Sequence, residues 1–146
     1  MAINLGNIKK DDLVENAHKI LGIAINRASN AGGPFAVNYT TLTQARYNLI
    51  NLVLTKKGER LGQPELGCDI WRLLFEPIID GDIDSRVEST IMDAVAQWLP
   101  YIQVNQIYLE YTNEDIDRNG FTVEIDFSLA NNPAISDSVT INVNNE

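Results

Sequence analysis

Residues Asp115-Ile116-Asp117-Arg118-Asn119-Gly120 have the D-x-D-x-N-G spacing that opens a calcium loop, in which alternate oxygens coordinate and the glycine makes the sharp turn. The twelfth position of such a loop supplies a bidentate Glu, whereas here it is Asp126, and strand-like rather than helical sequence flanks the segment. A solvated hairpin turn explains the same residues. Glu59 and Glu76 flank a central loop, and two carboxyls about 5 to 9 Å apart are what glycoside hydrolysis requires. With 20 acidic residues in the chain some pair always looks suggestive, and loop carboxylates near Arg60 or Arg72 explain these two equally well. Arg60 is expected to be a buried strut, its five donors satisfying several loop carbonyls at once. His18 is the only histidine and Cys68 the only cysteine, too few for a zinc site or an internal disulfide. A Ser or Cys nucleophile would depend on His18 as its base, and His18 falls in an expected helix where an ordinary surface or packed role suffices. No catalytic residue, metal or cofactor is therefore assigned.

The elements that would position these residues follow from periodicity and punctuation. Asp11 or Asp12 can cap a helix whose apolar positions Leu13, Val14, Ala17, Leu21, Ala24 and Ile25 recur near every 3.6 residues. Ser29 to Pro34 contains Gly32-Gly33-Pro34, which cannot continue a helix, so a hinge is expected there, followed by extended chain from Phe35 to Tyr39. Thr41 with Gln44 has the form of a capping box, opening a helix with Ala45, Leu49, Ile50 and Val53 on one face and ending near Thr55. Lys56 and Lys57 are expected in its last turn, and Gly58 in the left-handed conformation that closes it. Gly62, Pro64 and Gly67 make Glu59 to Asp69 a structured loop, leading to a short helix from Ile70 to Phe75 that Pro77 stops.

Asp82 or Asp84 starts a further helix, with Val87, Ile91, Ala94, Val95 and Trp98 on one face, which Pro100 ends. The period then changes to two: Ile102 to Tyr111, Phe121 to Leu129, and Ser138 to Asn144 read as strands. Asn119-Gly120 suits a tight hairpin, and Asn131-Asn132-Pro133 is expected to break the chain before the third strand. The fold class is α+β, with N-terminal helices followed by a three-stranded antiparallel sheet packed on helices. The expected organisation is a helical arm and hinge over 1–40 and an α+β domain over 41–146. The last strand is expected at a sheet edge, either open to strand addition by a partner's arm or protected by a neighbouring element, which composition alone slightly favours, and trimming 138–146 is expected to leave a folded core.

At 146 residues and 45% hydrophobic content the chain suits one globular core and is neither disordered nor fibrous. The longest apolar stretches, near Leu49 to Leu54 and Trp71 to Phe75, fall far short of the ~20 residues of a membrane span. The start of the sequence lacks the apolar run of a secretory signal, which points to the cytosol as the site of synthesis. The net charge of −9 is divided unevenly, +3 over residues 1–75 and −12 over 76–146, so nucleic acid is a poor partner for the second half.

A set of spaced motifs goes further: Leu52-Val53-Leu54-Thr55-Lys56-Lys57-Gly58-Glu59-Arg60, then Pro64-Glu65-Leu66-Gly67-Cys68-Asp69, then Leu74-Phe75-Glu76. This pattern resembles the gene-25-like baseplate wedge family of contractile-tailed phages, which includes a subunit of type VI secretion baseplates. In that family a helix ends in T-x-x-G-x-R, a P-E-F-G loop follows, and an L-F helix comes next; Leu66 stands here in place of the Phe. The resemblance spans about residues 42–144. It departs where the family has E-P-R-I, since this chain has Leu99-Pro100-Tyr101-Ile102 and lacks both charges.

The resemblance implies a structural, non-enzymatic role. Six copies would surround the tail tube in the virion baseplate, assembled in the host cytoplasm, with wedge proteins and the tail sheath subunit as partners and neither nucleic acid nor membrane bound. Leu99, Pro100 and Tyr101 would contact the wedge core bundle through apolar and aromatic chemistry. Thr55, Gly58, Arg60, Pro64 and Gly67 would form a structural loop motif. The strand containing Val139, Thr140, Ile141, Asn142 and Val143 would be the edge that starts the first sheath ring. Two alternatives stand beside this: a peptidoglycan-cleaving lysozyme using Glu59 and Glu76, and the same structural role in a type VI or extracellular injection machine.

Overall fold

The computed structural model describes residues 21–25, 35–38, 40–75, 82–111 and 120–143. The chain forms two compact units, 1–48 and 49–146.

In the first unit, β1 (Gly22–Ile25) pairs antiparallel with β2 (Phe35–Asn38), Gly22 opposite Asn38 and Ile25 opposite Phe35. The helical pattern expected to run through Ala24 and Ile25 therefore gives way to strand. The reason is legible afterwards: Gly22 weakens a helix by about 1 kcal/mol relative to Ala, the β-branched Ile23 and Ile25 suit a strand, and the pairing with Phe35–Asn38 is non-local. Residues 11–20 of that expected helix, with His18, and the glycine-proline segment 29–34 lie outside the described residues. Helix α1 (Thr41–Leu54) begins at Thr41, the residue expected to cap it. Thr40, not Thr41, caps it: its Oγ1 accepts from the Thr43 N–H at 3.2 Å, while Gln44 instead donates to Asn48 Oδ1 at 2.8 Å.

The second unit carries the rest of α1, the single turn α2 (Ile70–Leu73), α3 (Ile83–Trp98) and one sheet. Ile83, Val87, Ile91, Ala94 and Val95 of α3 are buried, as the 3.6-residue spacing requires. The sheet has the order β3 (Ile102–Glu110), β4 (Phe121–Leu129), β5 (Asn132–Val143), antiparallel throughout. Phe121, Val123, Ile125, Phe127 and Leu129 of the central strand are all buried. Each contributes about 1.5 to 3 kcal/mol of burial, so β4 anchors the core. The architecture is the expected α+β arrangement, helices preceding a three-stranded antiparallel sheet.

The last described β3–β4 pair is Glu110 with Thr122, and the expected hairpin at Asn119-Gly120 involves Asn119, which lies outside the described residues. Residues 112–119, with most of the calcium-like sequence, lie outside the described residues; Asp126, its twelfth position, sits inside β4 opposite Gln106 and Ser138. The third strand starts at Asn132 and runs through Pro133, with Leu129 opposite Asn132 around a tight turn. Proline is tolerated because, among the described residues, β5 has a ladder partner on one side only, so a missing N–H costs no second pairing.

Candidate functional site

The first candidate surface is the loop between α1 and α2. Cys68 N donates to Thr55 O at 2.9 Å and Gly58 N to Pro64 O at 2.7 Å, so two bonds cross-brace a loop whose ends meet. Shorter bonds shape its interior: Glu59 N to Lys56 O and Gln63 N to Arg60 O, both at 3.1 Å. Gly58 has the expected left-handed conformation, φ +88°, but it lies beyond the end of α1 and its N–H goes to Pro64 O rather than to a helix carbonyl, so it shapes the loop instead of capping the helix. Gly67 has φ +134°, and a Cβ there would lie 2.4 Å from Thr55 O, so only glycine lets the loop close.

Several side chains take other places than expected. Arg60 is exposed, not a buried strut; its neighbours' backbone groups satisfy each other. Lys56 and Lys57 follow the end of α1 and lie outside its last turn. Lys57 Nζ pairs with Asp69 Oδ2 at 3.3 Å, and the Lys56 ammonium lies 4.4 Å from the centroid of the Trp71 ring. Glu59 is exposed, and its Oε2 accepts from the Lys56 N–H at 3.1 Å, so its carboxylate closes the loop locally. Glu76 lies outside the described residues. The Cys68 thiol is buried, its Sγ 3.8 Å from Thr90 O, and burial raises its pKa, which opposes nucleophile formation. Among the described residues no group of three or more His, Cys, Asp or Glu is placed to hold a metal ion. No described helix is long and apolar enough to cross a membrane.

The second surface is the corner after α3. Leu99 N donates to Val95 O at 2.8 Å, Ile102 N to Leu99 O at 2.9 Å, and Ala130 N to Tyr101 O at 2.9 Å. These bonds fix the direction in which Leu99-Pro100-Tyr101 leaves the helix and tie it to the β4–β5 turn. Pro100 is exposed, while Leu99 and Tyr101 are half-buried.

The third surface is the sheet margin. Among the described residues β3 and β5 are the outer strands, but they differ as edges. β3 is interrupted between Val104 and Gln106, where Asn105 Oδ1 accepts from the hydroxyl of buried Ser128 at 3.1 Å. β5 pairs without a break from Ser136 to Val143. Asp137 alternates with buried Ile135 and Val139, an inward charge of the kind that discourages edge pairing, which leaves Ser138–Val143 as the open stretch. Within it Val139, Ile141 and Val143 are 4%, 4% and 0% exposed, while Thr140 and Asn142 face solvent. Trimming 138–146 would thus remove three core side chains, contrary to the expectation that the core survives it.

Sequence reasoning missed the Lys56–Trp71 stack, the Asn105–Ser128 bond and the Tyr111 hydroxyl, which donates to Asp84 Oδ1 at 2.7 Å. All are tertiary pairings of residues that look unremarkable singly. The one readable signal was a lysine and a tryptophan at the two ends of a glycine-proline loop.

A helix-bounded, cross-braced loop, a pinned helix-to-strand corner and a sheet with one uninterrupted outer strand among the described residues define the α+β module. The profile of the family described as baseplate wedge protein gp25 matches residues 43–134, and the chain belongs to that family. Over 97 residues it is 34% identical to baseplate wedge protein gp25 of Enterobacteria phage T4, covering 63% of this chain and 67% of that one. A crystal structure from Geobacter sulfurreducens, described as a candidate tail lysozyme, superposes with a TM-score of 0.63 at 15% identity over 76% of this chain and 96% of that one. At that identity the likeness is one of fold. A chain of the postcontracted pyocin R2 baseplate has a TM-score of 0.47 at 17% identity, covering 85% of this chain and 99% of that one.

Proposed function

We propose that this chain is a structural subunit of a contractile-tail baseplate wedge that anchors to wedge proteins and starts the sheath by offering its β5 edge to the first sheath ring. Family membership supports the baseplate role, and the observation that carries the finer reading is that β5, an outer strand among the described residues, pairs without a break from Ser138 to Val143. An incoming strand would find backbone donors and acceptors of Val139 to Val143 with no bulge, proline or lysine in the way. Leu99, Pro100 and Tyr101 are the proposed wedge contact, because their corner is rigid and partly exposed. The partners are then wedge proteins and the tail sheath subunit, with six copies around the tube in a baseplate assembled in the host cytoplasm. No enzymatic step is proposed: Glu59 is engaged within its own loop, which is read as structural.

The test places Lys at Thr140 and at Asn142, exposed positions that leave the buried face of β5 intact. Baseplates carrying the double variant are expected to assemble and to bear bare tubes in electron micrographs, because edge lysines oppose strand addition. Normal full-length sheaths on those baseplates would remove β5 from sheath initiation.

A further inference from the structure

The braced loop and α2 enclose a concavity of about 560 Å³ whose charge does not match that of the chain. The protein carries a net charge of −9, yet Lys56, Lys57 and Arg72 stand in this concavity against Glu65 and Asp69. Lys57 is engaged by Asp69 at 3.3 Å. Lys56 and Arg72 have no carboxylate partner among the described residues, and Arg72 is exposed. The Lys56 ammonium is held over the Trp71 ring at 4.4 Å, so its position is set before any partner arrives. The Cys68–Thr55 and Gly58–Pro64 bonds hold the walls in the same way. A preformed site loses less freedom on binding, which favours a short ligand.

The chemistry of the walls specifies that ligand. Lys56 stands over the ring of half-buried Trp71 and the exposed Arg72 lines the same concavity, two separate cations beside an aromatic side chain, which suits carboxylates spaced around an apolar side chain. A polyphosphate suits it less well, because it offers no apolar group to set against the Trp71 side chain. We infer that this concavity docks an acidic peptide segment of a neighbouring protein, Lys56 and Arg72 taking its carboxylates and Trp71 its apolar side chain. The inference concerns a surface distinct from the β5 edge, so failure of either leaves the other standing.

The full-length chain, isotopically labelled, is titrated with the acetylated and amidated peptide Glu-Asp-Leu-Glu-Asp, its Lys-Lys-Leu-Lys-Lys counterpart, and oligothymidylate, each as a separate probe. The acidic peptide is expected to shift the Trp71 indole and Gly58 amide resonances while the indole of Trp98, which ends α3 and does not line the concavity, stays in place. Lys56→Gln with Arg72→Gln is expected to weaken binding at least about tenfold, and Lys56→Arg with Arg72→Lys to retain it. Raising salt from about 0.05 to 0.5 M is expected to weaken binding as well. Unchanged near-ultraviolet circular dichroism of the Gln variant separates lost binding from lost fold. No shift at millimolar acidic peptide, equal shifts with the basic peptide, tighter binding of oligothymidylate, or undiminished binding by the Gln variant would each overturn the inference.

Discussion

Replacing Gly67 by Ala tests whether the central loop is held by close backbone approach, and Gly58→Ala serves as its control. Both glycines have positive φ, +88° at Gly58 and +134° at Gly67, so both substitutions incur backbone strain of about 1 to 2 kcal/mol, partly offset by a less flexible unfolded chain. The surroundings differ. A Cβ at Gly58 meets nothing within 4 Å, whereas at Gly67 it meets Thr55 O at 2.4 Å and the backbone at Lys56 and Lys57 at 3.1 Å. Backbone cannot rotate away as a side chain can, so the loop must open and lose the 2.9 Å Cys68–Thr55 bond, worth about 1 kcal/mol. The expected losses are about 1 kcal/mol for Gly58→Ala and about 3 kcal/mol for Gly67→Ala. At roughly 2 to 4 °C per kcal/mol for a chain of this size, melting falls by about 3 °C and about 9 °C respectively. Urea denaturation of both variants, followed by circular dichroism, measures the difference directly. Equal losses, or a larger loss for Gly58→Ala, would refute the claim that Gly67 is needed for close approach.

Ile141→Ala is expected to cost about 2 to 4 kcal/mol in urea unfolding, because Ile141 is 4% exposed and sits opposite Val123. Asn105→Ala leaves the hydroxyl of buried Ser128 without its 3.1 Å partner, and a loss of about 1 to 3 kcal/mol is expected by the same assay. Burial and the Asp84 carboxylate raise the Tyr111 pKa well above the ordinary 10. The folded state then holds the phenolic proton more tightly than the unfolded state, so this contribution is complete below pH about 10 and lost as pH rises beyond it. Tyr111→Phe is expected to flatten the alkaline limb of a stability-against-pH curve; an unchanged slope above pH about 10 would count against the link.

The helices and the central strand were legible because their signals are local. Val87, Ile91, Ala94 and Val95 repeat at the helical period, and Phe121 to Leu129 alternates without interruption, so side-chain direction follows from backbone geometry alone. The left-handed conformation of Gly58 was legible because a residue without a Cβ takes it at little cost, although it serves the loop and not the end of α1. The family motif marked the loop as a unit, although it said nothing of what its side chains touch.

Tertiary structure decided the rest. Gly22–Ile25 became strand because Phe35–Asn38 lies opposite it, a pairing no window of sequence contains. β5 extends back through Pro133 because, among the described residues, it has one ladder neighbour, a property of strand order rather than of composition. Arg60 proved exposed because the carbonyls it was expected to serve are satisfied by backbone N–H groups across the loop. Lys56 and Trp71 meet because Cys68 folds back on Thr55. Residue type and spacing determine which local shapes a segment can take; which cations are left without partners and which edge stays open depend on the non-local contacts that satisfy or expose each polar group.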